Sequence, residues 1–223
     1  MLGLTQLDPL LAPAPIAPID YIQTARITVT GSFDHYWSAR GKNLRNNLKK
    51  QRSKLAADGI ALRLETSRAA EEMAHAVADF GRLESAGWKA GAGTAVSPDN
   101  AQGRFYTRML EAFAARGAAT VYRYWFNEQL VAMDLCIRQD DCIVVLKTTY
   151  DESVPKTFSP ALLMREEAVR ALFDDVHTPS LARIEFYGKV MEWHTRWTEE
   201  VRTLYHVNHY RWAALRRLHA LSK

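Results

Sequence analysis

Three runs rich in β-branched and apolar residues, 120–126, 130–138 and 142–150, succeed one another closely. Only Asn127-Glu128-Gln129 and Gln139-Asp140-Asp141 lie between them. Connections that short join antiparallel neighbours, so the middle of the chain reads as a three-stranded meander. The segment after the third run constrains the fold further. An irregular loop leads to Ser159-Pro160, and apolar residues then recur at helical spacing over 159–174. Serine suits an N-cap and proline suits the first helical position. A helix that opens at the end of a central strand presents backbone N–H groups and the positive end of its dipole, which is what a pyrophosphate needs. A nucleotide-type co-substrate of the coenzyme A kind is therefore expected at this junction.

Composition narrows the class. With 223 residues and 48% hydrophobic content, the chain can bury a substantial core. Its formal charge of +4 and pI near 9.1 fit an anionic ligand without demanding nucleic acid. Cys136 and Cys142 flank a tight turn on neighbouring strands and read as reduced core residues, a disulfide being the alternative. No apolar run reaches the roughly 20 residues of a membrane span, and the N-terminus has no basic segment ahead of an apolar one. A cytoplasmic location is the expectation.

Four of the eight prolines fall within residues 9–18, which marks 1–20 as an extended lead-in to a single domain over 21–223. Residues 26–30 read as a short strand. Ser32 or Asp34 caps a helix running to about 57, closed by Asp58-Gly59. Next come a strand at 60–66 and a helix over 68–84, the latter on Met73, Val77, Phe80 and Leu83. Beyond the loop GWKAGAGTAVSP, a helix over 99–116 places Phe105, Met109, Leu110 and Phe113 inwards. After the meander and helix 159–174 come a strand at 182–187, a short helical piece around 189–200 and a strand at 202–211. A basic helix, RWAALRRLHAL, ends the chain.

From residue 60 the order is strand, two helices, three strands, helix, strand, short helix, strand. That order resembles the GNAT acyltransferase superfamily. The segments 33–55, 83–96, 146–164 and 186–197 are similar to one branch of it: acetyltransferase-like domains of bacterial cellulose-biosynthesis-associated proteins, related to Fem-type aminoacyltransferases. The resemblance implies an α+β (α/β) fold, a mixed and mainly antiparallel sheet flanked by helices with an extra N-terminal basic helix. It also implies an acyl-CoA, acetyl-CoA above all, as co-substrate. The acyl group would pass to an amine by direct attack. The chain departs from the pattern in one place: its cofactor loop, YDESVPKTFSPALL, has no glycine, and Ala161 stands where the branch often carries Gly. Members of the branch commonly carry a further domain upstream, so a shortened version is expected.

Candidate site residues fall within these segments. Glu84, at the end of a helix and before the Gly-rich loop, is a general base or a solvated helix-end carboxylate. Trp88 and Lys89 line an acceptor pocket or cap the core. Asp134 shares a strand face with Ala132 and Cys136 and is either a base in the cleft or a solvent-facing residue. Lys147 is either a cation for phosphate or a residue that only serves the fold, and the same alternative holds for the two tyrosines that follow. Tyr150 and Tyr187 are the candidate acids for a leaving thiolate. The backbone of Leu146, Lys147, Thr148 and Thr149 and the helix start Ser159, Pro160, Ala161 and Leu162 would seat the cofactor. Trp193 and Arg196, with Trp197, share one face of a short helix, suited to stacking an adenine and clamping a phosphate or to anchoring the last strand. The seven histidines show no HExxH spacing, so no metal is expected.

Seven basic residues, Arg40, Lys42, Arg45, Lys49, Lys50, Arg52 and Lys54, fall on the first helix with no acid between Asp34 and Asp58. They read as a solvated face or as a track for an anionic partner such as tRNA or a lipid surface. The alternative to a CoA enzyme is accordingly an aminoacyl-tRNA-dependent transferase or a non-catalytic module of an envelope-polysaccharide system.

Overall fold

The computed structural model describes residues 2–12, 18–86, 96–174 and 181–212. They form two compact units, one spanning Ile27–Tyr187 and the other made of Met1–Arg26 with Gly188–Lys223. The fold is mixed, with mostly antiparallel strands flanked by helices, as the order of elements predicts.

In the larger unit the chain runs α1 (Phe33–Ser38), α2 (Lys42–Ala57), β3 (Leu62–Ser67), a 3-10 turn (Ala70–Glu72), α3 (Met73–Ser85), α4 (Ala101–Ala114), β4 (Ala119–Phe126), β5 (Gln129–Gln139), β6 (Cys142–Tyr150), α5 (Pro160–Asp174) and β7 (Arg183–Phe186). The strand order is β7-β6-β5-β4-β3. Only β6–β7 is parallel; the meander and β3–β4 are antiparallel. Met73, Val77, Phe80 and Leu83 of α3 and Leu110 of α4 pack on Val121, Met133 and Leu135. Alternation then turns Asp134 and Cys136 to the opposite sheet face, towards α5. On α2, Leu48 and Leu55 are fully buried, each contributing about 1.5–3 kcal/mol.

Several boundaries differ from the sequence reading. The single helix expected over 33–57 is two. Ser32 caps α1 by accepting from the His35 N–H, but Gly41 takes an extended ψ of 133° and starts α2 afresh. Phe105 is 60% exposed, because the buried stripe of α4 runs through Gly103, Leu110 and Ala114, with Tyr106, Met109 and Phe113 half-buried beside it. Both hairpin turns have two residues rather than three, with Asn127 and Asp140 at φ 51° and 53°. Asn and Asp tolerate that left-handed conformation better than most residues.

The smaller unit holds β1 (Leu2–Leu7), most of β2 (Ile19–Thr28), α6 (Glu192–Thr195) and β8 (Val201–His209), with β8 antiparallel to both β1 and β2. Part of the proline-rich segment is thus an ordered strand. Arg202 Nε donates to Asp8 at 2.9 Å, and the Tyr205 hydroxyl donates to the Ala12 carbonyl at 2.6 Å. The strand expected at 26–30 begins earlier, at Ile19. The C-terminal basic helix lies outside the described residues beyond Trp212. Among those described, no helix is long and apolar enough to cross a membrane.

Candidate functional site

Parallel pairing of β6 with β7 runs only from Cys142↔Arg183 to Val145↔Phe186, and ends with the Tyr187 N–H donating to the Val145 carbonyl at 3.0 Å. β5 stays paired with β6 much further, to Ala132↔Tyr150. Where the β7 ladder stops, the β5 register steps from Cys136↔Val145 to Leu135↔Lys147. Two residues of β6 there oppose one of β5, so Leu146 is a bulge. Bulges bend a strand and re-aim its side chains, often beside active sites. Residues 146–150 thereby have one edge held by β5 and the other past the end of the β7 ladder.

Lys147 stands opposite Leu135 and so faces the α3–α4 layer. Its Nζ lies 3.1 Å from Glu84 Oε1 and 3.4 Å from Oε2. Glu84 is no solvated helix end: its side chain is 1% exposed, and Oε2 accepts the Val96 N–H at 2.8 Å. Rings of Phe80 and Tyr106 each lie 5.6 Å from the Lys147 ammonium. Burial pushes the Tyr106 phenol above its usual value, and the neighbouring Tyr187 and Glu84 add to the shift. The structure thus gathers Glu84 and Lys147 with Tyr106, which no sequence motif marks, and Tyr187 lies within electrostatic reach of Tyr106. Lys147 meets a carboxylate here rather than standing as a spare cation for phosphate.

Asp134 and Thr148 are directly paired in register and project to the other face. Asp134 is fully buried, so it is not solvent-facing. Arg165 Nη1 lies 2.5 Å from its Oδ2, and Arg165 Nη2 donates to Oδ1 at 3.0 Å. The Thr148 hydroxyl donates to Asp134 Oδ1 at 2.6 Å and accepts from Arg165 at 2.8 Å. Burial raises the Asp134 carboxyl, with Arg165 and Thr148 opposing. This network ties α5 to β5 and β6, and it turns Asp134 away from the Lys147 face. Tyr150, two residues beyond Thr148, lies on the Asp134 side and is 48% exposed. Thr149, opposite Met133, is buried on the α3–α4 side.

At the start of α5, the Ser159 N–H donates to Gln51 Oε1 at 2.8 Å, and the Leu162 and Leu163 amides both donate to the Ser159 carbonyl at 3.0 Å. Pro160 has no N–H. Among the described residues, Ala161 and not the expected Leu162 is left as the first-turn amide available to an anion, because the Leu162 N–H is already used. Gln51 has a signal in the sequence, since it continues the buried stripe Leu44, Leu48, Leu55 as its only polar member. Its neighbour Arg52 is not a spare basic charge either: it reaches Glu167 Oε1 at 2.5 Å, Glu166 Oε2 at 3.1 Å and the Leu163 carbonyl at 3.3 Å. Lys42, Lys49 and Lys50 remain exposed on α2.

Trp193 and Arg196 sit in the smaller unit. Arg196 pairs with Glu192 four residues earlier at 2.9 Å, Trp193 stacks on His194 at 3.6 Å, and Trp197 is fully buried as an anchor. Trp88 and Lys89 lie outside the described residues. Both cysteines are free. A cavity of about 700 Å³ lined by Glu65, Glu71, Asp79, Arg123 and Trp125 holds none of the candidate residues.

Residues 42–195 match the family model described as Acetyltransferase (GNAT) domain. No curated protein matches. Among solved structures, the C-terminal domain (DUF2156) of a putative lysylphosphatidylglycerol synthetase from Agrobacterium fabrum is similar at 15% identity. That match covers 98% of this chain and 71% of that one, with a TM-score of 0.60. FemX is similar at 9% identity, 83% and 60% coverage and a TM-score of 0.55. L-PGS from Bacillus licheniformis is similar at 9% identity, 92% and 65% coverage and a TM-score of 0.50. This chain therefore spans less than two thirds of the length of the last two. At these identities the likeness is one of fold.

Proposed function

This chain belongs to the GNAT acetyltransferase family, and from that premise we propose that it is an N-acyltransferase moving an acyl group, acetyl above all, from acyl-CoA to an amine. The observation that carries the reading is the parting of β6 from β7 after Val145↔Phe186, with the Leu146 bulge beside it and the Glu84–Lys147–Tyr106–Tyr187 group adjoining. Past the end of the β7 ladder, the edge of β6 over 146–150 would offer backbone groups to an extended amide-bearing donor arm. Ala161, at the N-terminus of α5, offers an amide and the helix dipole to its phosphates. Transfer is direct: the amine nitrogen bonds to the thioester carbon, the C–S bond breaks, and the amine proton ends on the thiolate. A cytoplasmic location, where acyl-CoA is at hand, goes with this reading. Calorimetry with coenzyme A and acetyl-CoA tests it, with saturable binding below millimolar ligand as the expected result. No heat at millimolar ligand overturns the donor assignment.

One observation favours a second donor. The phosphate seat at the start of α5 is partly taken, since Gln51 holds the Ser159 N–H and the loop has no glycine. An aminoacyl-tRNA ester needs no pyrophosphate there, and the exposed Lys42, Lys49 and Lys50 would track its backbone. Binding to tRNA that falls steeply with salt and is lost in Lys49→Gln/Lys50→Gln supports this donor. Binding indifferent to salt rules it out. Arg52 is not part of that test, because its charge is used inside the fold.

A further inference from the structure

Glu84 occupies the place where a base is expected, yet its contacts suit another role. Each of its carboxylate oxygens already meets the Lys147 ammonium, and Oε2 also accepts the Val96 amide. A side chain 1% exposed and so engaged is poorly placed to take a proton from an incoming amine. The Lys147 side chain keeps 16% exposure. Lys147 is also the first residue past the Leu146 bulge, at the point where β7 leaves the strand. Phe80 and Tyr106 box the ammonium from the α3–α4 side. A cation on a four-carbon stem rarely holds one position; here a buried carboxylate and two rings fix it.

We propose that Lys147 is the catalytic residue that stabilises the oxyanion of acyl transfer, and that Glu84 is a positioning residue which holds its ammonium in place. This assignment rests on the acyl-transfer reading above and is indifferent to whether the donor is a thioester or an ester, since both pass through a tetrahedral oxyanion. When the amine nitrogen attacks, the carbonyl π pair moves onto oxygen beside the Lys147 ammonium. When the intermediate collapses, that pair returns, the bond to the leaving group breaks, and the amine proton passes through water to the leaving thiolate or alkoxide. Lys147 stays protonated throughout. The role is electrostatic and preorganised, the kind in which removing one donor costs about 100-fold or more in kcat.

The test uses acetyl-CoA as donor and hydroxylamine as probe acceptor, monitoring thiol release, with calorimetric binding of coenzyme A measured in parallel. Lys147→Met is expected to lose about 100-fold in kcat while KM for acetyl-CoA stays within about twofold, and Lys147→Arg to recover part of the loss. Glu84→Gln keeps a hydrogen-bonding partner for the lysine, so its rate falls but the acid limb of its kcat/KM pH profile stays where the wild type has it. A base would take that limb with it. Lys147→Met strands a buried carboxylate, so Glu84→Gln/Lys147→Met, which strands no charge, carries the test if the single variant does not fold. It should be as slow as Lys147→Met. Coenzyme A binding with thiol release that persists undiminished in the lysine variants overturns the inference alone, as does an acid limb that vanishes in Glu84→Gln. No binding and no release by the wild type overturns the acyl-CoA reading, and the inference falls with it where Lys147→Met transfers from an aminoacyl-tRNA ester to hydroxylamine as fast as the wild type.

Discussion

Gly81 lies in the last turns of α3, where alanine would ordinarily be the better residue by about 1 kcal/mol. Here the expected sign is the opposite. A Cβ on Gly81 would sit 2.4 Å from the Val96 carbonyl oxygen and 3.3 Å from its carbon, and both are backbone atoms that cannot rotate away. Pushing Val96 off strains a packed position, worth about 1–3 kcal/mol. It also pulls the Val96 N–H from Glu84, a 2.8 Å hydrogen bond to a charged group worth about 1.5–3 kcal/mol. Subtracting the propensity gain leaves Gly81→Ala destabilised by about 1.5–5 kcal/mol. Urea unfolding of the two proteins reads this as a lower midpoint at unchanged slope. A variant as stable as the wild type, or more so, would show that Val96 yields freely and that close approach to α3 does not fix the Glu84 carboxylate.

Other contacts give three more expected outcomes. Arg165→Met, which strands the fully buried Asp134, is expected to lose about 3–5 kcal/mol in the same urea assay, and adding Asp134→Leu should return most of it. Ala161→Asp should keep or slightly raise the thermal midpoint, because an acid suits the first turn of α5, while abolishing calorimetric coenzyme A binding; equal affinity would place the phosphates elsewhere. The Cys142 thiol is pushed up from 9.0 to about 11, by burial first and then by Glu185. At pH 8 its thiolate fraction, and hence its alkylation by iodoacetamide, should be about 100-fold below that of a free cysteine, a rate that mass spectrometry measures. Labelling at the free-cysteine rate would contradict the buried environment.

The meander is legible in the sequence because its signals are local: β-branched runs and connections too short for anything but hairpins. The break between α1 and α2 is not, since Ser38-Ala39-Arg40-Gly41 contains nothing that forbids a helix outright. Phe105 misleads for a related reason. An aromatic one step off the buried stripe looks apolar enough to join it, and only the neighbouring layer decides. The site divides in the same way. Position along the chain picks out Glu84, Lys147 and Tyr187, but the meaning of Glu84 depends on a partner 63 residues away. Alternation places Asp134 on the correct strand face, with Ala132 and Cys136, and only Arg165 on α5 decides that this face is closed. Gln51 and Arg165 share a signature that exposes them: each is a lone polar residue on an otherwise apolar helical stripe, and such residues are buried only with partners.

Those partners separate two questions that the sequence leaves joined. The contacts of α2 fall on the start of α5, through Gln51 at Ser159 and Arg52 at Leu163, Glu166 and Glu167. Anything that changes how α2 lies on α5 changes which backbone amides are open to a donor's phosphates. The contacts of α3 fall instead on β6, through Glu84 and Lys147, on the opposite sheet face from Asp134 and Arg165. An ammonium fixed there serves an oxyanion whatever group is leaving. On the proposed function, choice of donor would belong to the junction of α2 with α5, and the chemistry to the junction of α3 with β6. The two junctions lie on opposite faces of the sheet, so on that proposal a loop without the glycines of a phosphate seat would bear on the donor and leave the Glu84–Lys147 pair as it is.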